Sequence, residues 1–326
     1  MNIVRVINSK AERLIYYCES KSLKYESVSF QRIRKLEDMR DKGTYLMDCL
    51  KLLRVKHWIK NFLIFVPLFF SGEIFKMDKL YRGVQGFLCF CLISSAVYVL
   101  NDICDRNKDM AHPTKRNRPL ASGRIKKKSA IGMMTGCILL AVVLSLILGN
   151  IYGIFCLALY FGLNVAYSRG MKNKSIVDIV ILASGFVIRI FYGGFITGVT
   201  ISGWLYLVVV TGSFYMGLGK RRNELKKENN HNTREVLKYY NVQFLDKNMY
   251  VCAALVNTFY ALWTVEFSIP GMIWTVPVFL IILLRYSYDI EGESDGDPVE
   301  VILKDKVLIA LVMLYAVGIF GMIYIF

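Results

Sequence analysis

Long apolar stretches separated by short polar segments run through most of this 326-residue chain. Most of them are about 17 to 23 residues long, the length that an α-helix needs to cross a hydrocarbon layer of about 30 Å. The pattern predicts nine membrane-spanning helices, at roughly 60–75, 84–103, 129–148, 151–167, 176–197, 203–219, 249–267, 271–288 and 306–325. The first of these is short and contains Pro67. We therefore expect an all-α, polytopic membrane protein.

Composition agrees with this prediction, since 55% of the residues are hydrophobic and the mean hydropathy is +0.42. A soluble domain of this length is usually less apolar. Residues 1–57 are polar and basic, so we expect no cleavable signal peptide. We predict two regions, a basic arm over 1–50 and a transmembrane domain over 51–326. The arm has two open interpretations, an amphipathic helix on the inner leaflet or a loosely ordered tail.

The distribution of positive charge predicts the orientation in the membrane. With a cytoplasmic N-terminus, the segments assigned to the outside carry only Lys76, Lys79 and Arg82 of the 41 lysines and arginines. Arg189 lies within a span, and all the others fall in inside segments. This is the positive-inside pattern, and it predicts an external C-terminus. Anionic lipid headgroups and a phosphorylated substrate are sufficient partners for the net charge of +16, so no nucleic acid is needed.

A polar cassette follows the second apolar stretch and carries the main candidate chemistry. It contains Asp102, Asp105 and Asp109, which stand at i, i+3 and i+7 and so share one face of a helix. Three carboxylates on one face repel one another unless a cation neutralises them, and oxygen ligands suit Mg²⁺. The simpler interpretation is a solvated, charged helix end. The position at a membrane boundary favours a metal and substrate site.

Basic residues follow the cassette directly, as a polyphosphate substrate would require. Lys115 and Arg118 lie between Pro113 and Pro119, which stop the helix and stiffen the turn. Arginine donors suit phosphate oxygens, although basic loops are also ordinary topology signals. The eight cysteines and three histidines show no metal-ligand spacing, so we expect neither a zinc site nor a redox role.

Other polar residues near the predicted inner face are weaker candidates. Arg189 lies inside a span, where a charge is costly and indicates function unless it forms an internal ion pair or snorkels. Asp178 begins that span and is also explained as a residue near a helix start. Lys60 and Asn61 could face the site or simply flank a membrane anchor. Lys220 is compatible with a surface ion pair to Glu224 at i, i+4.

The cassette Asn101–Asp109 with His112–Pro119 resembles the first aspartate-rich motif of the UbiA superfamily of intramembrane prenyltransferases. That resemblance implies nine helices around a central cavity, with cytoplasmic cap loops. Dispersed motifs from about residue 50 onward resemble the decaprenyl-phosphate phosphoribosyltransferase branch of the superfamily: Trp58–Asn61, Tyr167–Ser168 with Lys172 and Asp178, Ser184–Phe186 with Arg189, Gly219–Arg221 with Glu224, and Arg285–Tyr286 with Asp289 and Asp297–Pro298.

The chain departs from prenyl-transferring members of that superfamily at the second acidic cluster. Those members carry a second pair of carboxylates, whereas this chain offers only Asp178, with Lys172 and Lys174 beside it. Cations in place of carboxylates disfavour a prenyl diphosphate donor. They suit a site that holds a sugar diphosphate and also admits a lipid phosphate.

The resemblance therefore implies Mg²⁺-dependent transfer of 5-phosphoribosyl from phosphoribosyl diphosphate to a polyprenyl phosphate. It implies that Asp102, Asp105 and Asp109 hold the metal and that Lys172 and Arg189 complete the catalytic set. The implied substrate-binding residues are Lys60, Asn61, Asn101, Lys115, Arg118, Tyr167, Asp178, Lys220, Arg221 and Arg285. Two alternatives stay open, an aromatic prenyltransferase and a non-enzymatic carrier. The oligomeric state is also open, a homo-oligomer included.

Overall fold

A computed structural model of the protein describes residues 43–226, 235–266, 269–292 and 298–325. These residues form helices joined by turns, and no β-strand occurs among them. The first α-helix, α1, covers residues 43–52. The others are α2 (Val66–Phe70), α3 (Met77–Cys104), α4 (Arg106–Ala111), α5 (Lys127–Leu148), α6 (Ile151–Ser168), α7 (Val177–Thr197), α8 (Gly203–Lys226), α9 (Val242–Glu266), α10 (Thr275–Glu291), α11 (Pro298–Lys304) and α12 (Lys306–Tyr324). Short 3₁₀ helices cover Val55–Phe65, Lys115–Asn117, Met171–Asn173, Glu235–Tyr239 and Met272–Trp274.

Six helical segments of the described chain are long and apolar enough to cross a membrane. They are α3, α5, α6, α7, the stretch Met272–Glu291 and α12, and they correspond to six of the predicted spans. The expectation of an all-α, multi-pass membrane protein is thereby confirmed. Helices α8 and α9 contain the predicted spans at 203–219 and most of 249–267 but are not among the six. The count of nine spans stays a prediction.

The first predicted span, 60–75, does not form one α-helix. Its residues are divided between the 3₁₀ helix Val55–Phe65 and the five-residue α2, which begins at Val66. Pro67 lies in the first turn of α2, where a missing backbone N–H costs no internal hydrogen bond. Apolar composition predicted one membrane-spanning helix here, and it did not predict the division into two short helices.

A hydrophobic core between α3, α6 and α7 holds the first half of the chain together. Phe90 of α3 packs its ring against Tyr160 of α6 and Tyr192 of α7, with centroids 4.7 and 5.3 Å away. The 3₁₀ helix Val55–Phe65 lies directly on α7 at Gly193. A Cβ atom at Gly193 would lie 2.0 Å from the carbonyl oxygen of Ile64, so only glycine permits this close contact.

A second core joins α8, α9 and α10. Tyr215 and Leu218 of α8 pack with Leu245 and Met249 of α9 and with Ile290 of α10, and all five side chains are buried. Helix α7 packs against α8, so the two cores form one continuous bundle. This bundle fixes the ends of α3, α6 and α7 relative to one another.

Helix α1 belongs to the folded body of the protein. Leu52 is fully buried against Val99 of α3 and Leu120 of the following loop. Asp48 pairs with Nε of Arg124 at 2.9 Å. The predicted division at residue 50 falls inside α1, and residues 1–42 lie outside the described residues. Both interpretations of the arm therefore stay predictions.

Candidate active site

Three aspartates project from the end of α3 and from α4 into one cavity. The two helices are separated at Asp105, whose φ of −93° and ψ of 4° depart from α-helical values. The backbone N–H groups of Asp105 and Asp109 nevertheless donate to the carbonyls of Asn101 and Asp105, each at 2.9 Å. Helical spacing thus continues through the break. Asp102, Asp105 and Asp109 all line a cavity of about 620 Å³.

Each of these carboxylates is paired with a basic side chain. Oδ1 of Asp102 accepts hydrogen bonds from Arg54 at 2.5 Å and from Arg118 at 3.2 Å. Nη1 of Arg118 also donates to Asp109 at 2.7 Å. Lys172 donates to Asp105. The repulsion between the three carboxylates is therefore offset by cations that also face the cavity.

The loops after α4 and α6 supply further parts of the cavity wall. Lys172 comes from the 3₁₀ helix Met171–Asn173, which follows α6. Ser168, the last residue of α6, donates to the side chain of Asn101 and so ties α6 to the end of α3. The cavity contains eight of the predicted site residues: Asn101, Asp102, Asp105, Asp109, Lys115, Arg118, Tyr167 and Lys172.

Sequence reasoning did not assign seven residues that line this cavity: Arg54, Asn107, Lys108, Ala111, His112, Asn173 and Glu235. Nδ1 of His112 accepts from the backbone N–H groups of Thr114 at 3.2 Å and Lys115 at 3.3 Å. Burial and the nearby Lys115 lower the pKa of His112, so its ring is neutral at pH 7. His112 stands within the cassette motif, whereas Arg54 is 48 residues from Asp102 and had no local signal.

Asp178 and Arg221 belong instead to a buried network beside the cavity. Nε of Arg221 donates to Asp178, and neither side chain is exposed. Nη1 of Arg221 donates to Glu224 at 2.5 Å, and Nη2 donates to the hydroxyl of Tyr167 at 3.1 Å. Glu224 is thus paired with Arg221, and the ion pair between Lys220 and Glu224 stays a prediction. Lys220 does not line the cavity. Through Tyr167 this network supports the cavity wall.

Tyr240 completes the network from the other side of Asp178. Its hydroxyl donates to Oδ1 of Asp178 at 2.6 Å and accepts from the backbone N–H of Ile176 at 2.5 Å. Burial and the adjacent Asp178 carboxylate raise the pKa of Tyr240, so the hydroxyl remains a donor at neutral pH. Both oxygens of Asp178 therefore already accept hydrogen bonds.

Arg189 is buried within α7 and does not line the cavity. Its Nε donates to Asn61 at 2.8 Å, Nη1 to the carbonyl of Gly185 at 2.6 Å, and Nη2 to the Tyr160 hydroxyl at 3.1 Å. The guanidinium also lies 4.9 Å from the ring centroid of Phe90. The sequence offered two structural explanations for a charge at this position, an internal ion pair and snorkelling. Arg189 does neither, because its guanidinium contacts uncharged oxygens and aromatic rings.

Lys60 and Asn61 lie away from the cavity as well. Asn61 is fully buried, and its Nδ2 donates to Ser94 and Cys91, both at 3.2 Å. It links the 3₁₀ helix Val55–Phe65 to α3 and, through Arg189, to α7. Lys60 is half-buried on the same 3₁₀ helix.

Arg285 lines a different cavity, of about 600 Å³, that shares none of the lining residues of the first. Its Nε donates to Asp305 at 2.5 Å and lies 4.0 Å from Asp289. The Arg285 guanidinium lowers the pKa of Asp305 to about 2. The structure thus separates Arg285 from the acidic cassette, with which sequence reasoning had grouped it.

The fold and the cavity define a multi-pass membrane protein with an acidic and basic site at the ends of its helices. The model of the UbiA prenyltransferase family matches residues 80–304, and this chain belongs to that family. The decaprenyl-phosphate phosphoribosyltransferase of Corynebacterium glutamicum is 33% identical over 288 residues, which are 85% of this chain and 86% of that protein. The enzyme of the same name from Mycolicibacterium smegmatis is 33% identical over 279 residues, 79% of this chain and 87% of that protein.

Solved structures agree with the family assignment at the level of the fold. The structure of a UbiA homologue from Archaeoglobus fulgidus bound to GPP and Mg²⁺ superposes with a TM-score of 0.65 and 18% identity. The match covers 84% of this chain and 99% of that one. It confirms the predicted UbiA-like architecture of the helical bundle.

Proposed function

We propose that this protein transfers the 5-phosphoribosyl group of phosphoribosyl diphosphate to a polyprenyl phosphate and releases pyrophosphate. The observation that carries the proposal is the position of a lysine in the cavity, since prenyl-transferring members of the superfamily carry a second acidic cluster instead. Lys172 faces the three aspartates, whereas Asp178 points into a buried pair with Arg221. Where the resemblance to prenyl-transferring members implies a second carboxylate set, this chain thus brings Lys172 to the cavity, which suits a donor and an acceptor that both carry phosphate.

The names of the relatives support the same substrates, since two decaprenyl-phosphate phosphoribosyltransferases align over most of this chain. The competing proposal, prenyl transfer to an aromatic acceptor, is what the family name describes. The position of Lys172 in the cavity favours the phosphoribosyl donor over a prenyl diphosphate.

The residues of the cavity fit a magnesium–diphosphate complex better than a metal held by protein alone. In the part of the chain that the structure describes, no three acidic, histidine or cysteine side chains converge on one metal position. Asp102, Asp105 and Asp109 instead offer oxygen ligands from successive helical turns. Mg²⁺ commonly takes one or two carboxylates and completes its shell with substrate phosphates and water. When bound there, Mg²⁺ supplies Lewis-acid stabilisation of the departing diphosphate.

The chain's own residues bind and orient the two substrates. Arg118, Lys115 and Lys172 donate to the diphosphate oxygens and stabilise the charge that develops as the bond from ribose C1 to the diphosphate oxygen breaks. An oxygen of the lipid phosphate attacks C1 from the opposite face, so the anomeric configuration inverts. The electron pair of the broken bond leaves with pyrophosphate. A phosphate dianion is already nucleophilic at neutral pH, so the reaction needs no protein base.

Arg189 and Asn61 do not contact the substrates in this proposal but position other residues. Together they hold the 3₁₀ helix Val55–Phe65 between α3 and α7. Arg54 directly precedes that helix and reaches Asp102, so the packing around Arg189 positions a cavity side chain. Arg189 is then a positioning residue rather than a phosphate ligand.

The proposed orientation places the cavity on the cytoplasmic face of the inner membrane. The basic loops that contain Lys115, Arg118 and Lys172 form its walls. Loops rich in lysine and arginine remain on the cytoplasmic side, where anionic lipids are additional partners. The prenyl chain of the acceptor would lie against the apolar helices.

A donor-exchange assay on purified protein tests the proposal. With Mg²⁺ present, we expect pyrophosphate release from phosphoribosyl diphosphate only when polyprenyl phosphate is added. We expect no reaction between a prenyl diphosphate and an aromatic acid. Prenylation of the aromatic acid, without reaction of the ribosyl donor, would overturn the proposal and establish the aromatic prenyltransferase instead.

A further inference from the structure

Arg54 adopts a backbone conformation that few side chains tolerate. It directly precedes the 3₁₀ helix Val55–Phe65, with φ of 51° and ψ of 46° in the left-handed region. Among the described residues, Ile176 is the only other non-glycine residue with a positive φ. This conformation is strained because Cβ crowds the backbone, and such strain persists where the surrounding structure imposes it. The sharp turn directs Arg54 back toward the end of α3.

The side chain at this turn neutralises the most buried aspartate of the cavity. Nη2 of Arg54 donates to Oδ1 of Asp102 at 2.5 Å, and Arg118 donates to the same oxygen at 3.2 Å. The Arg54 guanidinium also lies 4.9 Å from the ring centroid of Tyr98. A carboxylate oxygen has two lone pairs, so these two donors fill it. The Asp102 side chain is only 4% exposed, which shields the pair from water.

A metal ion that binds this oxygen must displace a guanidinium. A displaced guanidinium needs another anion, and its planar array of donors suits a phosphate group. We propose that Arg54 is a placeholder cation. It holds Asp102 until a metal–diphosphate complex enters, and its hydrogen bond then moves from the Asp102 carboxylate to a diphosphate oxygen. The inference rests on the diphosphate site of the proposed function, and no covalent bond changes in the exchange.

The exchange couples metal binding to diphosphate binding. A metal ion alone competes with Arg54 for Asp102 and leaves the guanidinium without an anion. A metal ion that arrives with diphosphate gives Arg54 a new partner. The wild-type protein should therefore bind the metal weakly by itself and more tightly when pyrophosphate is present.

Removing Arg54 should change the affinity for the metal alone and the enhancement by pyrophosphate in opposite directions. Without the competing guanidinium, the metal alone should bind more tightly. Without a donor to receive the diphosphate, pyrophosphate should enhance metal binding much less. Loss of a residue that only supports the fold would not strengthen the binding of the metal alone while weakening its enhancement by pyrophosphate.

Equilibrium dialysis with radioactive Mn²⁺, with and without pyrophosphate in both chambers, measures both quantities on the purified full-length protein. Arg54→Gly removes the cation, and glycine adopts a φ of 51° without strain. A lost charged hydrogen bond corresponds to a change of about tenfold to a hundredfold in binding. We expect Arg54→Gly to tighten Mn²⁺ binding alone about tenfold and to reduce the pyrophosphate enhancement by about the same factor.

Arg124→Gly is the matched control. Arg124 also pairs with a buried aspartate, Asp48, but does not line the cavity. We expect this variant to match the wild type in both affinities. Arg54→Lys keeps the charge but not the planar donors, so we expect it to restore the coupling in part.

The inference is overturned if Arg54→Gly binds Mn²⁺ alone no more tightly than the wild type, or if it loses the metal and pyrophosphate together. If Arg54→Gly does not fold, Arg54→Lys decides, because unchanged coupling in that variant contradicts the exchange. Pyrophosphate is the probe here, so this test does not depend on ribosyl transfer. Intact coupling with no ribosyl transfer would refute the donor of the proposed function and leave the role of Arg54 standing.

Discussion

Arg221 of α8 and Asp178 of α7 form an ion pair in which neither side chain is exposed to solvent. The pair lies beside the cavity rather than in it. Tyr167 connects the pair to the cavity, because it lines the cavity and accepts a hydrogen bond from Arg221. An aspartate held in this way stabilises the fold and does not face the cavity. The proposed site therefore differs from a site in which a second acidic cluster binds metal.

The buried pair predicts that Asp178 is a stability residue. Asp178→Asn leaves the Arg221 guanidinium buried with a weakened partner, and breaking a buried pair costs about 3–5 kcal/mol. We expect a clear fall in the thermal unfolding midpoint in detergent. Lys76→Gln, at an exposed ion pair, is the control and should change the midpoint little. An unchanged midpoint together with lost Mn²⁺ binding would instead make Asp178 a metal ligand.

The acidic cassette predicts loss of turnover without loss of fold. Asp102→Asn and Asp105→Asn each remove a carboxylate from the proposed metal–diphosphate site, which should raise the barrier by several kcal/mol, on the order of a hundredfold or more in rate. Asp48→Asn is a matched control, since Asp48 is buried and paired but lies outside the cavity. Near-normal rates in Asp102→Asn with Mg²⁺ present would show that the acidic face is structural.

Lys172 predicts a change in donor recognition. Lys172→Ala removes one charged contact to phosphate, worth about 1.5–3 kcal/mol, so kcat/KM for the ribosyl donor should fall about tenfold to a hundredfold. The thermal midpoint should stay close to that of the wild type. Lys174→Ala, two residues away and exposed, should keep normal kinetics. Equal kinetics in the two variants would remove Lys172 from the site.

Unlike Lys172, Arg189 should affect the stability of the protein more than its recognition of substrate. Arg189→Ala strips hydrogen bonds from buried Asn61 and Tyr160, at a cost of about 1–3 kcal/mol for each unsatisfied group. We expect a lower unfolding midpoint and a loss of activity that follows it. Arg189→Lys restores the charge but not the three directed donors, so it should recover only part of the stability. A normal midpoint with a raised KM for polyprenyl phosphate would make Arg189 a phosphate ligand.

The charge pattern predicts the topology. Reporter fusions at residues 110 and 225 should give a cytoplasmic signal, and a fusion at 326 should give an external one. Residue 225 tests whether α8 crosses the membrane, since that helix is not among the six that are long and apolar enough to do so by composition. An external signal at 225 would contradict the nine-span arrangement.

Local patterns predicted much of this fold and part of the site. Hydropathy located α3, α5, α6, α7 and α12 because a long apolar helix is a property of consecutive residues. It did not predict the 3₁₀ helix Val55–Phe65, whose geometry depends on the contact between Ile64 and Gly193.

The same distinction applies to the site residues. The three aspartates line one cavity, and the sequence could group them because their spacing is local. The pairing of Arg54 with Asp102 spans 48 residues, and that of Asp178 with Arg221 spans 43. No periodicity encodes such contacts, since they depend on how the helices pack.

The destination of two isotopic labels tests the central claim most directly. Phosphoribosyl diphosphate is labelled either in the ribose ring or in the terminal phosphate of the diphosphate, and each form is incubated with the purified protein, Mg²⁺ and polyprenyl phosphate. The proposed reaction predicts that the ribose label enters the organic extract with the lipid, while the diphosphate label stays in the aqueous phase as pyrophosphate. Both labels remaining in the aqueous phase, in a preparation that prenylates an aromatic acid, would contradict it.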